Sequence, residues 1–242
     1  MDTILRKFTD PYERKARLYP ALLAGLPVVV VIAFYTEWFA FDAENALYIS
    51  IAAAGLFWLT GKTRELGKGI ENRLIAEWEG MPSVTLLRHR DGVLDRYTTK
   101  RYHKAATALA DVKLPSPAEE GSNPTDADER YRAVTTALLS KTRDTSEYPL
   151  LFKENINYGF WRNLRGVRKI ACALAAVIVA LGLWIDRTTV ISLQPPDGPE
   201  LALVIIGSMM LIGWLTTVTD ESVRQAAQNY AMRLLEALDR TP

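Results

Sequence analysis

The chain has 242 residues, and its 29 Lys plus Arg stand against 28 Asp plus Glu for a formal net charge of +1, which argues against a dedicated polyelectrolyte binder, so no nucleic-acid partner is expected. Hydrophobic residues make up 49% and charged residues 24%; with a mean hydropathy of -0.00, the apolar residues must be concentrated in particular segments. The single cysteine, Cys172, excludes a disulfide within the chain and argues against a thiolate metal site; no metal and no cofactor is expected.

The apolar residues fall into four blocks without an ionisable side chain: 18–36 with 19 residues, 45–61 with 17, 170–185 with 16 and 201–219 with 19. A hydrocarbon core of about 30 Å needs roughly 20 helical residues, so each block is a spanning candidate, the shorter two relying on flanking groups that reach the interface. No small-residue cleavage site follows the first block before Glu37, so it is retained as a span. Trp38, Trp58, Trp184 and Trp214 fall at or near block ends, where an indole favours the headgroup level.

The connection between blocks one and two holds Glu37, Asp42 and Glu44 and no base; that between three and four holds Asp186, Asp197 and Glu200 with only Arg187. The other basic residues lie before the first block, in 62–169 and after Asp220. The positive-inside bias therefore predicts a multi-pass membrane protein with both termini and 62–169 cytoplasmic. The expected fold is an all-α integral membrane protein: four transmembrane helices with a mainly helical cytoplasmic domain inserted between the second and third. The segments are 1–61, the N-terminus and first hairpin; 62–169, the cytoplasmic domain; 170–219, the second hairpin; and 220–242, an amphipathic tail helix.

Within 62–169, a helical pattern with Leu66, Ile70, Leu74, Ile75 and Trp78 continues the second span and ends at Gly80 and Pro82. Residues 83–88 read as a short extended piece; Asp91-Gly92 could turn a hairpin there, but Asp95 caps a helix from Tyr97 to Ala110. Residues 113–128, with three prolines, read as a mobile loop. Asp126 or Asp128 caps a helix from about Glu129 to Lys141, and another runs from about Phe152 into the third span. In the tail, Val223, Ala227, Tyr230, Leu234 and Leu238 form an apolar stripe that lies on lipid or packs on the domain. There is no internal repeat.

No acidic, basic or histidine side chain lies inside a block, which disfavours ion-coupled transport and proton relays, and the chain has none of the nucleotide-loop, serine-elbow or zinc-helix motifs. Small residues at Cys172, Ala176 and Ala180, and at Ala21 and Gly25, are helix-packing candidates, within one bundle or between copies. Residues 151–166 interleave polar, aromatic and glycine residues beside the third span. They read as an interfacial anchor or as a recognition surface, with Glu154, Asn155, Tyr158, Arg162 and Asn163 facing a partner or ligand. Arg101 and His103 are further candidates. The spacing of Arg96 and His103 resembles the Arg-to-His motif of the HEPN ribonucleases, which would have an Arg hold phosphate while a His moves a proton; the polar residue usual just inside that motif is absent, since Tyr97 and Thr98 follow Arg96. A structural His103 bonded to a carbonyl or carboxylate is the competing reading.

The Leu86-Leu87-Arg88 run with Asp91, Lys100-Arg101-Tyr102-His103, Thr142-Arg143-Asp144, and Glu154 to Phe160 followed by Arg162-Asn163-Leu164 and Gly166 together resemble a group of uncharacterised bacterial four-span membrane proteins. Such layouts are associated with bacterial antiphage systems, and the resemblance supplies no catalytic residues. It implies a non-enzymatic inner-membrane effector or sensor whose cytoplasmic domain controls assembly of the spans and permeabilises the membrane, with lipid, further copies of the chain and a soluble cytoplasmic protein as expected partners. The alternative is an anchor or scaffold for a soluble partner; a HEPN-like ribonuclease is the third reading.

Overall fold

The structure, a computed structural model, describes residues 10–35, 43–185, 187, 191–192 and 198–240; Trp38, Glu37, Asp42, Asp186 and Asp197 lie outside them. The described residues are predominantly helical, with no strand among them. A π-helical turn, Glu13–Leu18, leads into α1, Tyr19–Tyr35. There follow α2, Ala43–Glu77; α3, Pro82–Thr85; α4, Arg96–Ala110; α5, Pro117–Ser122; α6, Pro124–Lys141; α7, Pro149–Ile185; α8, Gly198–Thr217; and α9, Asp220–Glu236, closed by a 3-10 turn, Ala237–Arg240.

Two compact units divide these elements: Met1–Glu71 with Gly159–Ser222, and Asn72–Tyr158 with Val223–Pro242. The boundaries fall inside helices rather than at the ends of the uncharged blocks, because α2 continues unbroken beyond its uncharged block and α7 begins well before its own.

The first unit carries three helices long and apolar enough to cross a membrane: Glu13–Ile32, the apolar part of α7 and Gly198–Thr217. The expected second block, 45–61, lies within α2, where Asn45, Tyr48, Ser50 and two glycines dilute its apolar character. The outward side chains of this unit are large and apolar: Val177 is 60% exposed, Met209 67% and Ile51 61%. Water penalises such a surface and hydrocarbon does not. Its interior joins Ala21, Ala24, Leu59, Leu164, Val167, Ala171, Trp214 and Val218. Trp214 packs inside the unit, whereas Trp58 and Trp184 are exposed. The hydroxyls of Ser50, Thr216 and Thr217 donate to carbonyls of their own helices, at Ala46, Ile212 and Gly213, the local satisfaction that apolar surroundings demand.

Small residues set the helix spacing in this unit. A Cβ on Gly166 would lie 2.6 Å from the Gly67 backbone nitrogen and 2.7 Å from the Leu66 carbonyl carbon, so α2 and α7 cross with backbone against backbone. A Cβ on Gly207 would lie 2.7 Å from Ile178 Cγ1. Ala21 is fully buried, and Gly25 leaves ordinary contact distance to Leu56. On α7 the buried small residues are Ala171 and Ala175, while Cys172 is half-buried and Ala176 and Ala180 are exposed. One residue turns a helix by about 100°, so the stripe read from Cys172, Ala176 and Ala180 looks outward and its neighbour packs.

The second unit has its own core, which joins Leu86 and Leu87, Tyr102 and Ala106 of α4, Tyr131, Val134 and Leu138 of α6, Tyr148 and Leu151, and Leu234, Leu235 and Leu238 at the chain end. The tail helix thus packs in a protein core rather than lying on lipid. Asp95 accepts from the backbone N–H of Tyr97 and Thr98, which starts α4 as its sequence predicts.

Two expectations are corrected in this unit. Residues 83–88 are not extended: Pro82 opens the single turn α3, and Leu86, Leu87 and Arg88 donate backwards to Pro82, Val84 and Thr85. Residues 113–128 are not a loop throughout. Ser116 and Glu119 close a reciprocal capping box on α5, and Asn123, rather than Asp126 or Asp128, caps α6 by accepting from the Asp126 N–H. Pro117 and Pro124 occupy first helical positions, where the missing N–H costs nothing; prolines that read as loop punctuation are helix starts.

Candidate functional site

The second unit contains an open hollow of about 950 Å³. One wall is a face of α4, where Arg96, Thr99, Lys100 and His103 recur at the three-, four- and seven-residue offsets that align side chains along a helix. The opposite wall is the segment from Lys113 to Pro117 with Glu119, and Arg88, His89 and Leu94 complete the lining.

Beneath it runs an ion-pair chain. Arg88, 4% exposed, donates bidentately to Asp128, Nε to Oδ1 at 2.8 Å and Nη2 to Oδ2 at 2.7 Å, and Nη1 reaches Asp91 at 3.3 Å. Its Nη2 also donates to the Glu79 carbonyl, presented where Glu79 and Gly80 take positive φ values of 56° and 142°. Arg90 bridges Asp128 and Glu120. Glu120, 1% exposed, accepts from the Tyr131 hydroxyl at 2.6 Å and from the backbone N–H groups of His89 at 2.9 Å and Arg90 at 3.1 Å. Burial pushes the Glu120 carboxyl up, but Tyr131, the two N–H donors and Arg90 outweigh it and hold the group below the usual carboxylate range. Burial likewise pulls on the Arg88 guanidinium, and Asp128 and Asp91 keep it raised and charged. The Tyr131 phenol is raised, by burial first and then by Glu120.

The two histidines meet at the hollow, ring centroids 4.6 Å apart and edge to face. His103 Nε2 lies 2.7 Å from the Leu87 carbonyl and His89 Nε2 lies 3.1 Å from that of Pro115. A carbonyl only accepts, so each Nε2 carries a proton and donates to it. Burial pulls the His103 imidazole below its ordinary value and His89 adds to this; the Leu87 carbonyl and Glu120 oppose it without prevailing.

His103 therefore makes stability depend on pH. The unfolded ring takes up a proton near 6.5 and the folded ring only at lower pH, so in that window the unfolded state holds more protons and stability falls as pH falls. Thermal melts of the full chain in detergent at about pH 7.5 and about pH 5.5 should show the loss, and His103→Gln, which keeps a donor toward Leu87, should flatten it. The Glu120 contribution has the same sign and is lost as pH falls below the ordinary carboxylate value of 4.5.

The remaining sequence candidates lie elsewhere. Arg101 turns away from the hollow: its Nε donates to Asp239 Oδ1 at 2.8 Å and its guanidinium lies over the Tyr102 ring. The neighbouring Lys100 lines the hollow instead. Glu154 accepts from Asn157 Nδ2 at 3.4 Å, Asn155 is half-buried, and Tyr158 is buried and stacked on Tyr230 at 6.1 Å. These three belong to the second unit. Arg162 and Asn163 belong to the first and are both buried: Arg162 Nη1 donates to Glu71 at 3.0 Å, and Asn163 Nδ2 donates to the Ala16 carbonyl at 2.7 Å. Among the described residues no group of acidic, histidine and cysteine side chains is placed to hold a metal. The sequence reading named Arg88 only within a resembling run and Asp128 only as a cap, and singled out neither Glu120 nor Lys113 as a site residue. The signals that could have found them are the Ser116 to Glu119 capping box and the shared α4 face of Arg96, Lys100 and His103.

No family model, curated protein or solved structure matches the chain. The chemistry of the hollow is therefore read from its own geometry. It offers cations and fixed imidazoles around a concavity of small-molecule size, on a base made rigid by satisfied ion pairs.

Proposed function

We propose that the chain is a bacterial inner-membrane effector with four spans, α2 supplying the second, and that its second unit is cytoplasmic, receives a signal and controls assembly of the spans so that the membrane becomes permeable. The observation that carries this reading is the character of α2 and α7. Each passes without a break from an uncharged apolar stretch into a charged one, a continuity suited to carrying a change along the helix. Large apolar side chains on α2, including Ile49, Ile51 and Phe57, are more than half exposed, which supports a lipid-facing role for the 45–61 block. The absence of ionisable side chains from the blocks favours a passive opening over coupled transport. The resemblance in layout to four-span proteins is what suggests antiphage defence as the setting.

Induced expression in a bacterial host carrying a potential-sensitive dye tests the reading. Membrane potential and growth should both fall once the chain reaches the membrane. Cells that keep both, with the chain demonstrably inserted, would contradict it and favour the scaffold reading, under which deletion of 83–150 abolishes co-purification of a soluble protein and leaves insertion intact.

A further inference from the structure

We propose that the hollow of the second unit is a binding site for a phosphate-bearing small molecule, with Arg96, Lys100 and Lys113 holding the phosphate. Each of these lines the hollow, each is exposed, and among the described residues none forms an ion pair with a carboxylate. The other cation in the lining, Arg88, is already neutralised by Asp128 and Asp91. The acidic groups nearby are engaged with backbone: Glu119 accepts from the Ser116 N–H at 2.7 Å, and Asp95 accepts from Tyr97 and Thr98. Three cations thus face one concavity without an ion-pair partner, Glu119 acting on Lys113 only through space, and a multiply charged oxyanion compensates them better than that single carboxylate.

Shape decides the size of the ligand. A hollow of about 950 Å³ has room for a molecule of nucleotide size. Leu94, Leu114 and Pro115 supply an apolar surface beside the cations, which suits the organic part of such a molecule. An extended nucleic acid needs a basic track along the surface, whereas these charges are gathered in one depression on a chain of net charge +1. The inference stands on the second unit alone and survives if the permeability reading fails.

The test uses the full chain in uncharged detergent, titrated with ADP by calorimetry at low salt. Saturable binding to one site is expected, weakening as salt rises. The triple variant R96A/K100A/K113A should weaken binding at least about tenfold, while the surface control K104A/R132A leaves it unchanged. Lys113 lies outside any helix, so K113A alone, with an expected loss of about threefold or more, serves if the triple variant does not fold. Transfer to phosphatidylcholine nanodiscs with and without phosphatidylglycerol separates the sources of phosphate: competition with ADP identifies a lipid headgroup, and unchanged ADP binding identifies a soluble ligand. The proposal is overturned if neither ADP nor phosphatidylglycerol binds, or if the folded variants bind as the unaltered chain does.

Discussion

Glu120→Ala should destabilise the second unit by about 3–5 kcal/mol, the cost of leaving several buried donors unsatisfied. The carboxylate is nearly inaccessible and receives the Tyr131 hydroxyl, two backbone N–H groups and the Arg90 guanidinium. Alanine leaves the Tyr131 hydroxyl and the two backbone N–H groups without this acceptor, while Arg90 keeps Asp128, and each unsatisfied buried group costs about 1–3 kcal/mol. For a unit of this size the loss corresponds to a melting temperature lower by roughly 10 °C or more, measurable on the full chain in detergent. Glu120→Gln keeps an acceptor oxygen but loses the charge, so it should fall between the two. A Glu120→Ala protein that melts with the unaltered chain would mean that the network does not hold His89 and Arg90 in place.

Gly166→Leu should have the larger effect on the first unit. The atoms that its Cβ would meet are the backbone nitrogen of Gly67 at 2.6 Å and the backbone carbonyl carbon of Leu66 at 2.7 Å, and neither can rotate aside. The helices must separate, and Asn163, which bridges to the Ala16 carbonyl one turn away, loses its register. The expected result is loss of monodisperse protein from detergent extracts. Gly69, on the same helix α2, provides the control: a Cβ there meets nothing within 4 Å, so Gly69→Ala should be tolerated or stabilising by up to about 1 kcal/mol, alanine being the better helix former. Equal yields of the two variants would contradict the close crossing.

The long elements were legible because hydrophobic period and charge gaps write them directly. The helix from Tyr97 to Ala110 behind its Asp95 cap, the continuation of the second block to Gly80 and the tail stripe of Val223, Ala227, Tyr230, Leu234 and Leu238 stand as expected, with Tyr230 half-buried and the other four stripe residues buried. Short elements were misread where one residue type has two uses. Proline closes a helix or opens one, and at Pro82, Pro117 and Pro124 it opens one. Aspartate caps a helix or pairs with arginine, and Asp128, 40 positions from Arg88 in the chain, does the second. That pairing depends on tertiary placement and leaves no local trace. The hollow was half legible: the Arg96 and His103 spacing marked one face of α4, but nothing in the order of residues brings Lys113 and Pro115 opposite it. On α7, composition located the small residues, and only packing decided that Ala171 and Ala175, rather than Ala176 and Ala180, go inside.

The division into an apolar unit in lipid and a helical unit in water is tested most directly by single-cysteine labelling in a Cys172→Ser background. V177C, M209C and K104C, each at an exposed position, are treated in opened membranes with a charged, membrane-impermeant maleimide. K104C should react readily, and V177C and M209C should stay unlabelled until detergent removes the bilayer. Labelling of V177C and M209C at the rate of K104C before detergent is added would show that those surfaces face water and would contradict the account.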